Sequence, residues 1–264
     1  MSAGKPYVVL AVFNLLGYLG VVIVNALANI LPINSKNTGE ISDSYPNLFT
    51  PAGLTFSIWG LIYVLLAIFC IYQLYLAFKG RDRGTAVLRN IGLLFLVSCA
   101  ANMAWIFAWH YEMVGYSLLI MIILLVSLIY LYLRLQVGKT DTSNTEKYMI
   151  HLPFSIYLGW ITIAAIANVT AFLVNLGWSG FGLSEQFWTV LVIAVGVAIT
   201  LCFIFLRRDI FYGLVVDWAL LGIMIKRMSD DSAADQWVLM AVIAAIAIVT
   251  VGIIIQLARR RIYT

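Results

Sequence analysis

The chain has 264 residues, of which 63% are hydrophobic and 11% are charged, with a formal net charge of +4. Soluble domains carry about 25% charged residues, so this composition excludes a water-soluble globular protein. The modest net charge gives no reason to expect nucleic acid as a partner. The lipid bilayer is the expected surrounding of this chain.

Long apolar blocks follow one another along the whole sequence. A helix of about 20 apolar residues spans the hydrocarbon core of a bilayer. The blocks therefore predict an all-α, polytopic membrane bundle of about eight transmembrane helices. Their predicted ranges are 7–30, 52–78, 90–110, 114–136, 149–175, 187–206, 210–226 and 236–257.

Basic residues divide unevenly between the two sides that this helix order creates. If the N-terminus is cytoplasmic, 13 of the 16 Lys and Arg residues lie on the cytoplasmic side, and only Lys36, Lys226 and Arg227 lie outside. The positive-inside rule then predicts that both termini are cytoplasmic. We expect an integral protein of a prokaryotic plasma membrane, with its first helix retained and not cleaved as a signal peptide.

Polar and aromatic residues recur at helical spacing in four of the predicted helices. Those that share a face fall within about 60–80° of one another. The stripes are Asn14, Asn25 and Asn29; Phe56, Trp59 and Tyr63; Asn102, Trp105 and Trp109; and Trp160, Ala164, Asn168, Ala171 and Asn175. Polar side chains in hydrocarbon face the bundle interior. These stripes either line a small-molecule pocket or cross-link packed helices.

Asp217 is the one acidic residue deep inside a predicted helix. An intramembrane carboxylate is costly and marks a functional hypothesis, here proton coupling. The alternative is a neutral side chain that is hydrogen-bonded to another helix. The longest polar connection, 31–50, is either a lid over a site or a solvated connector.

No catalytic or metal-ligating constellation emerges from the sequence. The three cysteines are scattered within apolar blocks, which argues against disulfides and a cysteine metal site. His110 and His151 fall at helix ends, where an interfacial position is expected. We therefore predict no catalytic residue, no metal and no covalently bound cofactor.

Three motifs carry a resemblance to a known family. They are Thr50-Pro51-Ala52-Gly53 followed by Phe56, Trp59 and Tyr63; Asn102-Met103-Ala104-Trp105; and Trp160, Ala164, Asn168 and Asn175. Their order and spacing resemble those of the TspO/MBR family, which comprises the tryptophan-rich sensory proteins and the translocator protein. The chain departs from that pattern at Ala52, where the family has a second proline, and in the spacing of Pro153 before Trp160.

The resemblance implies a five-helix ligand-binding unit over 1–176, to which 177–264 adds three helices and a basic cytoplasmic tail. It also implies a pocket for a porphyrin-type, sterol-like or isoprenoid-like ligand, capped by the 31–50 loop. The implied lining residues are Trp59, Asn102, Trp160 and Ala164, with Asn168 in support. Together with the stripes, the predicted ligand-binding set is Trp59, Tyr63, Asn102, Trp105, Trp160, Ala164 and Asn168.

The function expected from these residues is that of a sensor or buffer of a hydrophobic, tetrapyrrole-like ligand. The alternatives are a transporter, proton-coupled through Asp217, and a porphyrin-modifying enzyme that uses the tryptophans. Ala100 and Ala104 form a small-xxx-small pair that allows a homodimer.

Overall fold

The computed structural model describes residues 5–31, 33–80, 82–140, 142–229 and 233–259, and all regular elements in these ranges are helical. Large apolar side chains such as Phe13, Ile71 and Ile243 are more than half exposed on the outer faces of long helices. A continuous apolar exterior of this kind is stable in lipid and not in water. The predicted polytopic helical membrane bundle is therefore confirmed.

Long helices in the described part of the chain follow the predicted order. They are α1 (Lys5–Ile30), α2 (Ile58–Lys79), α3 (Leu94–His110), α4 (Val114–Arg134), α5 (Leu152–Asn175), α6 (Glu185–Leu206), α7 (Ile210–Ser229) and α8 (Ala233–Ala258). Shorter helical pieces precede α2, α3 and α5 at Gly53–Ser57, Asp82–Ile91 and Asn144–His151. The 31–50 loop contains the short helix Thr38–Asp43, called the loop helix below.

Six of the long helices, all except α3 and α7, are long and apolar enough to cross a membrane by themselves. α3 becomes a seventh candidate when it is joined to the preceding short helix, with a bend of 41° between them. α7 contains three charged residues, Asp217, Lys226 and Arg227, which make it less apolar than the six candidate spans. The predicted count of eight requires that α3 and α7 also span the membrane, and this stays a prediction.

Two predicted helix starts are wrong, and the backbone gives the reason for each. The helix predicted over 90–110 is interrupted at Gly92, whose φ of 50° lies in the left-handed region that favours glycine. The helix predicted from residue 52 becomes α-helical only at Ile58. The backbone N–H of Ala52 instead donates to the carbonyl of Gly222 at 2.9 Å, which fixes the turn before α2 against α7.

The segments predicted to lie outside the membrane are joined by polar contacts at one end of the bundle. Lys36 Nζ lies 2.7 Å from Glu112 Oε1, at the end of α3, and Lys226 Nζ lies 3.2 Å from Asp43 Oδ1. At the opposite end, Gly138 packs against the backbone of Arg207 in the turn between α6 and α7. The segments thus alternate as predicted, while which end faces the cytoplasm stays a prediction. Pro32 of the loop and three basic residues of the charge bias, Arg81, Arg260 and Arg261, lie outside the described residues.

α7 joins the last three helices to the first five. It packs along α5 and against the turn Gly53–Ser57. Besides the Ala52–Gly222 bond, Trp218 Nε1 donates to the carbonyl of Thr55 at 2.9 Å. A Cβ at Gly222 would lie only 1.9 Å from Thr55 Oγ1, so this approach requires glycine.

Gly222→Ala is expected to lower the free energy of unfolding by about 1–3 kcal/mol, because the added methyl group overpacks the contact with Thr55. The measurement is thermal unfolding in detergent, followed by helical circular dichroism. Gly60→Ala is the matched control, since a Cβ at Gly60 in α2 meets no atom within 4 Å. Equal stability of the two variants would contradict the close packing of α7.

Candidate functional site

Trp59 stands at the centre of a buried aromatic cluster. Its ring centroid lies 5.6 Å from that of Tyr63, 6.3 Å from Trp105, 6.1 Å from Tyr157 and 6.2 Å from Trp160. The pair with Tyr63 is stacked, and those with Tyr157 and Trp160 are edge-to-face. Both arrangements are favourable for aromatic rings. The predicted stripes of α2, α3 and α5 therefore face one another.

A small cavity, called the inner cavity, lies within this cluster beneath the loop helix. Its walls include Trp59, Trp105, Trp160, Ala164 and Asn168, which are five of the seven predicted ligand-binding residues. Its volume is about 40 Å³, enough for only a few water molecules. Ligand pockets usually measure about 300–1,000 Å³, so the inner cavity is closed to a large ligand in this conformation.

A second space, called the outer cavity, has a volume of about 590 Å³ and lies between α1, α2 and the loop helix. Tyr63, Asn25 and Asn29 line it, and it shares Thr38, Phe56 and Trp59 with the inner cavity. Its volume falls within the range of small-molecule sites. Phe56 and Trp59 therefore form a partition between a roomy outer space and a closed aromatic interior.

Asn102 lies behind the cluster and lines neither of these cavities. It is fully buried; its Oδ1 accepts a hydrogen bond from Asn25 Nδ2 at 2.8 Å, and its Nδ2 donates to the Tyr157 hydroxyl at 3.0 Å. Its amide thus connects α1, α3 and α5 and orients Tyr157, which packs on Trp59. Sequence reasoning missed Tyr157, although it lies three residues before Trp160 on the same face of α5.

Two indole N–H groups in the inner cavity wall differ in their partners. Trp105 Nε1 donates to Asn168 Oδ1 at 3.3 Å, and Asn168 Nδ2 donates to Ser117 Oγ on α4 at 3.0 Å. Trp160 is 2% exposed, and its Nε1 has no hydrogen-bond partner. A buried donor without an acceptor is costly, and an acceptor on a bound molecule relieves that cost.

The end of α3 holds the loop over the inner cavity. Trp109 Nε1 donates to the carbonyl of Thr38 at 3.2 Å. His110 is fully buried; its Nε2 lies 3.2 Å from Thr38 Oγ1 and its Nδ1 lies 3.1 Å from the carbonyl oxygen of Ile33. A neutral imidazole with its proton on Nδ1 satisfies both contacts. His110 is therefore a loop anchor, and the loop helix lies as a roof over the inner cavity.

Asp217 lies outside both cavities. Thr250 Oγ1 of α8 donates to its Oδ2 at 3.0 Å, while its Oδ1 has no hydrogen-bond partner. In the ranges that the structure describes, no group of three or more His, Cys, Asp or Glu side chains is arranged to hold a metal ion. Ala100 and Ala104 lie on the exposed face of α3, and the homodimer predicted from them stays a prediction.

Fold and site together define a polytopic α-helical membrane protein with a tryptophan-rich interior next to a side cavity. A family profile described as TSPO-like protein matches residues 11–255. The chain belongs to this TSPO-like family, and the match continues through α6, α7 and most of α8. Comparisons with curated proteins and with solved structures give no significant match.

Proposed function

We propose that this membrane protein binds a flat, hydrophobic, tetrapyrrole-like ligand and acts as its sensor or buffer. The observation that supports this most strongly is the Trp59 cluster, which adjoins the outer cavity and contains the unpartnered Nε1 of Trp160. Tryptophan faces stabilise a ring system through burial and stacking. The hydrogen-bond donor fixes its orientation.

Entry into the inner cavity requires the partition and the roof to move. The roof is held by the buried hydrogen bonds of Trp109 and His110 with Thr38. At its exposed edge it is also tied by the ion pairs Lys36–Glu112 and Lys226–Asp43, all of whose side chains are 31–48% exposed. Exposed ion pairs contribute at most about 1 kcal/mol each, so the two pairs release readily, and the buried hydrogen bonds with Thr38 are the stronger restraint on the roof. We expect the ligand to occupy the outer cavity first and to displace Phe56 and Trp59 as it goes deeper.

A transporter and a porphyrin-modifying enzyme remain the alternatives. Proton-coupled transport depends on Asp217, which contacts α8 and not the cavities. Enzymatic modification depends on the tryptophans as reactive groups. No specific contact favours either alternative over binding.

The test is a titration of the detergent-solubilised protein with protoporphyrin and with its dimethyl ester, read by tryptophan quenching and the Soret band. We expect saturable binding of at least one of them. Trp160→Leu should weaken it at least about tenfold, which corresponds to about 1.4 kcal/mol. Trp237→Leu is the control, because Trp237 is 69% exposed on α8. No saturable binding, or equal weakening in both variants, would contradict the proposal.

A further inference from the structure

The connection between α5 and α6, residues 176–184, contains no charged side chain. In it and in the first turn of α6, four large apolar side chains are 49–81% exposed: Leu176, Phe181, Leu183 and Phe187. α5 and α6 are both long and apolar enough to cross a membrane, so their connection emerges at a bilayer surface. An apolar patch of this kind marks an interaction surface.

Four aromatic rings of this region pack into one cluster, called the aromatic cap: Trp178, Phe181, Phe187 and Trp188. The Trp178 ring centroid lies 5.3 Å from that of Phe181 and 5.0 Å from that of Trp188. Phe187 lies 5.7 Å from Trp188. Trp188 Nε1 donates to the carbonyl of Gly180 at 2.9 Å, which satisfies the polar group of that indole within the connection. The outer face of the cap is therefore apolar.

The backbone at the tip of the connection shows that Phe181 is not the residue that local geometry favours. Its φ of 54° lies in the left-handed region, between Gly180 at 64° and Gly182 at 80°. This conformation is strained for a residue with a Cβ, whereas glycine adopts it freely. Persistent strain of this kind is a pointer to function. What phenylalanine adds here over glycine is the ring, which is 81% exposed.

The connection also satisfies part of its own backbone. The N–H of Leu183 donates to the carbonyl of Gly180 at 3.0 Å, and the N–H of Phe187 donates to the Ser184 hydroxyl at 3.2 Å. Irregular backbone is costly in lipid because its N–H and C=O groups lack partners. These internal bonds lower the cost of placing the connection among lipid headgroups and the first carbons of the acyl chains.

The length of α6 sets the depth of the cap. The helix has 22 residues, Glu185–Leu206, and is followed by Arg207 and Arg208. About 20 helical residues span the hydrocarbon core, so a helix whose last residue lies at one boundary reaches the other boundary near Phe187. Trp and Phe side chains at this level lie where aromatic residues anchor membrane proteins.

We propose that the aromatic cap inserts into the headgroup–acyl boundary of the leaflet on the roof side, with lipid as the partner of its apolar face. Lipid fits this surface because the face bears no charge and continues the exposed apolar side of α6 at Val190 and Leu191. The N–H of Leu48, in the loop that contains the roof, donates to Glu185 Oε1 at 2.9 Å. The cap therefore also ties that loop to the membrane surface. This inference is independent of the ligand under the roof.

The experiment places a polarity-sensitive fluorophore on Ser179→Cys, an exposed position that leaves all four rings in place, in liposomes of zwitterionic lipid. The background is Cys202→Ser, because the other two cysteines are buried. Ser44→Cys on the roof side is the water reference, and Ile71→Cys, 67% exposed on α2, is the lipid reference. Relative to Ser44, we expect a blue shift at position 179, stronger quenching by lipids that carry a nitroxide near the headgroup, and weaker quenching by iodide.

Phe181→Gly is the decisive variant, because glycine keeps the left-handed backbone and removes only the ring. It should shift the fluorescence at position 179 towards that at Ser44, while thermal stability in detergent stays at or above that of the parent. Emission and quenching equal to those at Ser44 in the parent would overturn the proposal. Protection from both quenchers would indicate a protein partner in place of lipid and would also overturn it. A loss of stability in Phe181→Gly with unchanged quenching would show that the ring serves packing alone.

Discussion

Gly60→Trp is expected to abolish ligand binding without unfolding the protein. Gly60 lines the outer cavity on an exposed face of α2, and a Cβ there meets no atom within 4 Å. An indole at this position fills space that a ligand needs and does not displace the packed core. We expect affinity for the tighter-binding porphyrin probe to fall about a hundredfold or more, which corresponds to about 2.7 kcal/mol.

Two controls separate blockage from a general effect of the substitution. Gly60→Ala adds only a methyl group and should retain binding. Leu61→Trp places the same indole on the neighbouring residue, which is 49% exposed and does not line the outer cavity. Full binding by Gly60→Trp, or equal loss in Leu61→Trp, would show that the outer cavity is not the route or the site.

Asp209→Ala is expected to cause the largest loss of stability. Asp209 is fully buried, and its carboxylate accepts hydrogen bonds from Tyr132 of α4 at 2.9 Å, Ser155 of α5 at 2.6 Å and the backbone N–H of Tyr212 at 3.0 Å. The last bond caps the start of α7. Alanine leaves three buried donors without this acceptor, so the free energy of unfolding should fall by about 3–5 kcal/mol.

Asp209→Asn is the matched variant, because the asparagine side chain keeps one acceptor oxygen, Oδ1, and loses the negative charge. We expect a smaller loss than in Asp209→Ala, measured by chemical denaturation in detergent. Ligand affinity of the folded fraction should be unchanged in both variants, since Asp209 does not line either cavity. An alanine variant as stable as the wild type would refute the role of Asp209 in holding α7 to α4 and α5.

The sequence missed Asp209 as an important residue, although a signal was present. An aspartate directly before an apolar helical segment is a typical N-cap. The neighbouring Arg207 and Arg208 placed it in a charged connection, where a solvated side chain is the ordinary expectation. Only the packing of α7 against α5, together with the hydrogen bond from Tyr132 of α4, turns this connection inward and buries the carboxylate.

The sequence by itself determined the membrane class, the order of the helices and the faces on which Trp59, Trp105 and Trp160 lie. These features depend on local periodicity, because a helix in lipid satisfies its own backbone and directs polar and bulky aromatic stripes inward. The three motifs determined the family in the same way, since their spacing is a property of the linear chain. The positive-inside distribution likewise predicts an orientation without any knowledge of contacts.

Tertiary structure decided which side chains border a cavity and which serve as connectors. Asn102 and Asn168 share the same residue type and both lie on interior faces, yet Asn102 is enclosed between α1 and α5, while Asn168 forms part of the inner cavity wall. The sequence also could not predict that the inner cavity is closed, that His110 anchors the loop, or that α7 docks through Gly222. Each depends on distances between helices that are far apart along the chain, and helical periodicity fixes the direction of a side chain but not the neighbour it meets.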